Sequence, residues 1–175
     1  MEVLVAAWVG STNLGDELVF AGLCRRLAAL GAKVTAVSVD PAGTRDVHGV
    51  AAVDHRDLPG LVRTSRAADA VVLGGGGLVQ DFTSALNVPY HLSRLLPARL
   101  AGTPLGVVGI GAGPLEGRLG RGLAGAALAA ARVCTTRDAA SAELLRNLGV
   151  APVEVAADLA LSLPVPEVAA EDRLV

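Results

Sequence analysis

A chain of 175 residues that is 52% hydrophobic and 18% charged has enough apolar surface for a buried core, which excludes a disordered tail, a coiled coil and a disulfide scaffold. Its 15 basic residues stand against 17 acidic ones, a net charge of −2, so there is no basic field to hold a nucleic-acid backbone. The aromatics Trp8, Phe20, Phe82 and Tyr90 are too few for a base-stacking platform, and nucleic acid is not expected as a partner.

The N-terminal segment MEVLVAAWVGSTNLGDE has no basic leader and turns polar after a short apolar run, which fits neither a signal peptide nor a membrane span. The apolar run over 3–9 ends at Gly10 and reads as a buried strand. Phe20, Leu23, Cys24, Leu27 and Leu30 then recur with helical period, with Arg25 and Arg26 opposite, and Gly31 stops that helix. A strand follows over 33–39, then a short one over 47–53 interrupted by Gly49, a helix over 61–68 and a strand over 70–73. Beyond these come a helix over 88–100, a strand over 105–110, an Ala- and Gly-rich helix over 119–131 and a strand over 133–136. A helix over 139–148, closed by Gly149, and a short strand over 153–156 complete the series. Cys24 and Cys134 fall in a helix and a strand without metal or redox spacing and read as small core residues.

Alternating apolar strands and amphipathic helices imply a parallel sheet covered on both faces, so the expected fold class is α/β, a Rossmann-like three-layer domain with a mainly parallel sheet. After Asp158 prolines and acids replace the regular pattern, as in a linker. The expected organisation is a domain over 1–163 and a linker over 164–175, leading to a C-terminal domain missing from this chain. Apolar runs end well short of the roughly 20 residues a membrane helix needs. The expectation is a cytoplasmic protein, with peripheral contact at the inner face of a membrane left open.

In an open parallel sheet, ligands bind outside the carboxyl ends of the strands, and the unusual sequences here fall at such ends. The first strand is followed by GSTNLGDE over 10–17, which has neither the Lys of a Walker loop nor the Gly-x-Gly-x-x-Gly of a dinucleotide fingerprint. Asp16 and Glu17 stand there instead, as site acids or simply as complements to a helix dipole. Gly74–Gly77 precede Gln80 and Asp81, which places an amide and a carboxylate beside a crevice or in a tight turn. Gly109, Gly111 and Gly113 turn backbone amides toward a ligand. Arg137 would stand at the crevice rim, gripping a carboxylate or phosphate or pairing with Asp16, Glu17, Asp138 or Asp158. Asp138 suits a helix N-cap. The histidines His48, His55 and His91 show no metal-ligand spacing, so no metal is expected, and no nucleophile elbow supports a hydrolase. His91 beside Tyr90 reads as facing the crevice or, more often for such a residue, as solvated or packed.

Together GSTNLGDE, LGGGGLVQD, GIGAGP, TRDAAS and AADLAL resemble the polysaccharide pyruvyl transferase family, most closely its bacterial cell-surface branch that modifies secondary cell-wall polymers. The resemblance implies a glycosyltransferase-B-like enzyme of two Rossmann-like domains, of which this chain is the N-terminal, acceptor-side half. It implies phosphoenolpyruvate as co-substrate, no other cofactor, and a sugar acceptor, with a lipid link to that acceptor left open. By position, Asp16, Glu17 and Arg137 become the catalytic candidates. Asn13, Gly15, Gly75, Gly76, Gln80, Asp81, Gly111, Gly113 and Asp158 become the substrate-binding ones. Donor contacts expected from the second domain are absent here, so this chain alone is expected to be inactive. A nucleotide-sugar glycosyltransferase and a stand-alone ligand-binding domain stay as alternatives. A dehydrogenase is disfavoured, with Asp40 its one suitable ribose-binding acid.

Overall fold

The computed structural model describes residues 1–165. In chain order the elements are β1 (Glu2–Val9), α1 (Leu14–Ala29), β2 (Lys33–Ser38), α2 (Pro41–His48), β3 (Ala51–Asp54), α3 (Leu58–Ala67) and β4 (Ala70–Gly74). Then come α4 (Asn87–Ser93), α5 (Leu96–Ala101), β5 (Leu105–Ile110), α6 (Arg118–Leu128), β6 (Val133–Thr136), α7 (Ala139–Asn147), β7 (Glu154–Val155) and a 3-10 turn over Leu159–Ser162. Among the described residues seven strands form one parallel sheet in the order β3-β2-β1-β4-β5-β6-β7. The chain winds outward from β1 to β3, then restarts at β4 on the other side of β1. That reversal is the switch point at which a Rossmann-like sheet opens a crevice.

Parity along β1 sorts the two covering layers. Val3, Val5, Ala7 and Val9 face α1, where Phe20 and Leu23 complete an apolar cluster. Leu4, Ala6 and Trp8 face the other layer, packed with Val88 and Leu92 of α4 and Leu145 of α7. In the β1–β2 ladder Ala6 pairs with Val37 but Val9 pairs with Ser38, so the Ala7–Trp8 pair is extra and the alternation is preserved. Trp8 is thereby delivered to the α4 side of the crevice.

Several boundaries differ from the sequence reading, each for a local reason. Residues 47 and 48 end α2 rather than begin a strand. Asp40 caps that helix by accepting from the Gly43 amide, Pro41 starts it, and Gly49 closes it in the left-handed region, leaving Ala51–Asp54 as the strand. The helix expected over 88–100 is two short ones, α4 and α5, with Pro97 in the first turn of α5. α1 begins earlier than its apolar stripe, because the Asn13 side chain caps it, and Leu30, counted in the stripe, is 76% exposed. Cys134 is buried and Cys24 half-buried, and burial pushes their thiols up to about 11 and about 12.

After β7 the chain returns across the sheet. Leu159–Ser162 docks on α1 at Gly22, where any Cβ would overlap the Leu159 carbonyl, and the Arg25 guanidinium donates to the Ser162 carbonyl at 2.9 Å. This return brings Asp158 to the crevice. The expected linker over 164–175 lies almost wholly outside the described residues. Among the described residues no helix is long and apolar enough to cross a membrane.

Candidate functional site

The carboxyl ends of β1, β4, β5, β6 and β7 surround an open cleft of about 1170 Å³. Asn13, Gly15, Asp16, Gln80, Gly111, Gly113, Arg137 and Asp158 all line it. Glu17, Gly75, Gly76 and Asp81 stand behind that lining and shape it.

Asn13 is the N-cap of α1. Its Oδ1 accepts from the Gly15 amide at 3.0 Å, and its Nδ2 donates to Asp16 Oδ2 at 2.7 Å. The Asp16 carboxylate lies against Gly76, which has φ +76° and where a Cβ would come within 2.5 Å of Oδ1. Burial raises the Asp16 pKa above its ordinary 3.8; the charge of Arg137 partly offsets this, and Glu17 adds to it. Burial and the guanidinium thus act on the Asp16 carboxyl in opposite senses, and burial is the larger of the two.

Arg137 follows β6 and lays its guanidinium on Gly111, where a Cβ would sit 2.9 Å from Nε. Its Nη1 is 3.6 Å from Asp158 Oδ2 and its Nε 3.8 Å from Asp138 Oδ2, both long for tight ion pairs, and the side chain is 41% exposed. Among the described residues the fork therefore keeps donors free for a ligand. Asp138 caps α7 through the Ser141 amide at 2.7 Å, and that bond holds its carboxyl below the ordinary value. Asp158 caps the 3-10 turn through the Ala160 amide.

Glu17 is turned away from the cleft. Its Oε1 accepts from the amides of Gly10 (2.9 Å) and Ser11 (3.0 Å), and its Oε2 accepts from His48 Nε2 at 2.7 Å, with His48 edge-on to Phe20. It braces the loop that presents Asn13 and Asp16. Asp81 does the same for the β5–α6 loop, accepting from the Gly117 amide at 2.7 Å and the Glu116 amide at 3.1 Å, bonds that hold its carboxyl below its usual value. Gln80 is buried and exchanges hydrogen bonds with Thr83 at 2.7 and 3.2 Å. Gly75 packs against Val19 of α1.

On a further wall of the cleft the sequence marks only His91 beside Tyr90. Trp8, Asn87, Tyr90 and His91 line it, with the Trp8 ring 5.9 Å from Tyr90 and 5.8 Å from His91, edge-on to both. The signal available in the sequence was Trp8 at the end of an apolar strand and Asn87, Tyr90 and His91 spaced on one helix face. Arg94, 5% exposed, lies behind them, 3.9 Å over the Tyr90 ring, and donates to the Nδ1 atoms of His91 (3.2 Å) and His55 (3.3 Å).

Burial first, and Arg94 second, push His91 down to about 4 from the ordinary 6.5. Between those values the unfolded chain binds a proton that the folded chain refuses, so the folded state loses stability as pH falls from 6.5 toward 4. His55, lowered by burial and then by Arg94, acts in the same direction. The loss from His91 between pH 7 and pH 4.5 is about 2 kcal/mol. Urea titrations at both pH values check it: His91→Phe should lose correspondingly less than the wild type, and equal losses in the two proteins would refute the assignment.

A family model for polysaccharide pyruvyl transferase matches residues 13–173, from the N-cap of α1 through the last motif read in the sequence. No curated protein matches the chain. With nearly all of its length matched and its strand-end motifs gathered around one cleft, the chain belongs to the polysaccharide pyruvyl transferase family.

Proposed function

We propose that this chain is the N-terminal, acceptor-side domain of a glycosyltransferase-B-like enzyme that forms a pyruvate ketal on a cell-wall polymer sugar, using phosphoenolpyruvate. The observation that carries the reading is Asp16, raised by burial, sharing a cleft with the partly free guanidinium of Arg137. Protonation of the enol at C3 makes C2 electrophilic. One sugar hydroxyl adds to C2, the C2–O bond to phosphate breaks, and a second hydroxyl closes the ring. Of the two hydroxyl protons released, one replaces the proton given to C3 and the other leaves with inorganic phosphate.

Asp16 suits the acid that serves C3, and Arg137 suits the clamp on the carboxylate or phosphate of the donor. Asn13 holds Asp16 in place, and Glu17 fixes the loop that carries both. Further donor contacts come, on this reading, from a second domain, and the enzyme works on the cytoplasmic side of a membrane that holds a lipid-linked acceptor.

The test is pyruvyl transfer from phosphoenolpyruvate to a lipid-linked or nucleotide-linked amino-sugar disaccharide, read by mass spectrometry, for this chain and for its complete reading frame. A product heavier by the pyruvate ketal from the complete frame supports the reading. A folded complete enzyme that yields no such product, but consumes a sugar nucleotide, would replace it with glycosyl transfer.

A further inference from the structure

The cleft is divided by charge. Its acidic and basic side chains, Asp16, Arg137, Asp138 and Asp158, stand at the first turn of α1 and beyond β6 and β7, whereas the wall built by Trp8 and α4 carries neutral polar and aromatic groups. Two side chains on that wall have their hydrogen-bonding direction fixed from behind. Arg94 can only donate, so the Nδ1 of His91 that meets it must accept, and the proton of the neutral imidazole is on Nε2. That Nε2 makes no hydrogen bond among the described residues and is not sealed off from solvent, although the residue as a whole is 95% buried, being 5% exposed, and lines the cleft. Asn87, one helical turn earlier, gives Nδ2 to the carbonyls of Leu78 (3.3 Å) and Gln80 (3.1 Å), which leaves Oδ1 an acceptor without a partner among the described residues.

α4 therefore shows the cleft one neutral donor and one neutral acceptor, on side chains four residues apart whose Cβ atoms lie about 6 Å from each other, beside the partly buried indole of Trp8. The Arg94 charge does not line the cleft. It is spread over the Tyr90 ring and two imidazoles, and it reaches a ligand only by polarising His91. Its work is to hold the imidazole in one tautomer and one orientation. An apolar ring face flanked by a directed donor and acceptor matches a pyranose, which offers C–H on its faces and hydroxyls, each both donor and acceptor, around its edge.

We propose that Trp8, Asn87 and His91 form a subsite for an uncharged pyranose, with His91 donating from Nε2 and Asn87 accepting at Oδ1. The subsite deepens the acceptor-side reading above and rests on it for the statement that the sugar bound here belongs to the acceptor. His91 is its specificity-determining donor, and Arg94 is a positioning residue.

Trp8 is the single tryptophan of the chain, so its fluorescence reports on this wall alone. The whole 175-residue chain is titrated with the methyl glycosides of gluco-, galacto- and manno-configured N-acetylhexosamines and, separately, with inorganic phosphate. A saturable change in Trp8 emission with at least one glycoside, undiminished by phosphate, is expected. His91→Phe keeps an aromatic ring and removes the donor, and should weaken that binding about tenfold. His91→Gln, which returns an N–H near the place of Nε2, should recover most of it. Silence toward all three glycosides, a response to phosphate alone, or wild-type affinity in a folded His91→Phe would overturn the proposal. The wild-type titration decides even if both variants misfold. Phosphoenolpyruvate is absent throughout, so sugar binding without later ketal formation would sink the transfer reading and leave the subsite. Ketal formation by an enzyme whose Trp8 ignores every glycoside would sink the subsite and leave the transfer reading.

Discussion

Arg137→Ala is expected, on the proposed donor clamp, to cut pyruvyl transfer about 100-fold or more, the usual cost of removing one charged donor from the place where anionic charge must be held. The fold should survive, because the side chain is 41% exposed and its two carboxylate neighbours are 3.6 and 3.8 Å away, contacts of well under about 1 kcal/mol at a solvated surface. A melting temperature within about 2 °C of the wild type would fit that small loss. Arg137→Lys should restore little, since an ammonium lacks the planar fork. The same replacement carries an electrostatic signature. The Arg137 charge lowers the pKa of Asp16, against the desolvation that raises it, so its removal moves the Asp16 pKa further up. Any limb of the pH–rate profile that belongs to Asp16 should then shift to higher pH in the residual activity. Wild-type turnover, or a lost fold, would remove Arg137 from the donor site.

Glu17→Ala should act through stability. It strands three donors at once, the amides of Gly10 and Ser11 and Nε2 of His48, in a loop that is only partly open to water. Leaving such groups without an acceptor costs about 2 to 4 kcal/mol in all, with water relieving part of the penalty. For a domain of this size that lowers the melting temperature by about 5 to 15 °C. Hydrogen exchange gives a local readout: the Gly10 and Ser11 amides should lose protection before the core of β1 does. Transfer should fall as well, because the loop presents Asn13 and Asp16. Glu17→Gln, whose carbonyl still accepts from the two amides, should keep most of the stability. A Glu17→Ala protein that melts like the wild type with both amides still protected would end the bracing role. Loss of transfer without loss of stability would return Glu17 to the chemistry itself.

These two acids mark the limit of what the sequence carries. Their adjacency at a helix start was visible, and so was the strand end that brings them to a crevice, because apolar runs and helical period determine the sheet. Which of the two faces the cleft is a matter of α1 rotation and of the cap at Asn13, which turn Asp16 to the opening and Glu17 under the loop. Adjacent residues on a helix point about 100° apart. Asp81 was equally legible as a polar residue after a glycine run. Its partners are amides 35 and 36 residues later, a long-range contact that no local pattern encodes. Arg137 is simpler: it follows its strand directly, and the register of β6 beside β5 sets it against Gly111. The Trp8 wall needed two facts together, the parity of β1 and the packing of α4 on that face, and α4 itself was merged with α5 by an apolar pattern that runs through Pro97.

The loops around the cleft are tied by internal ligands before any substrate arrives. Glu17 fills the amides at the end of β1, Gln80 and Thr83 close on each other after β4, and Asp81 fills the amides ahead of α6. A loop that folded only around its ligand would lose roughly 1 to 2 kcal/mol of backbone entropy for each residue fixed, at the expense of affinity. Here that entropy is lost when the chain folds. The strand-end face is thus preorganised, and the free energy of contacts to whatever ligand enters it remains available for binding and for the transition state.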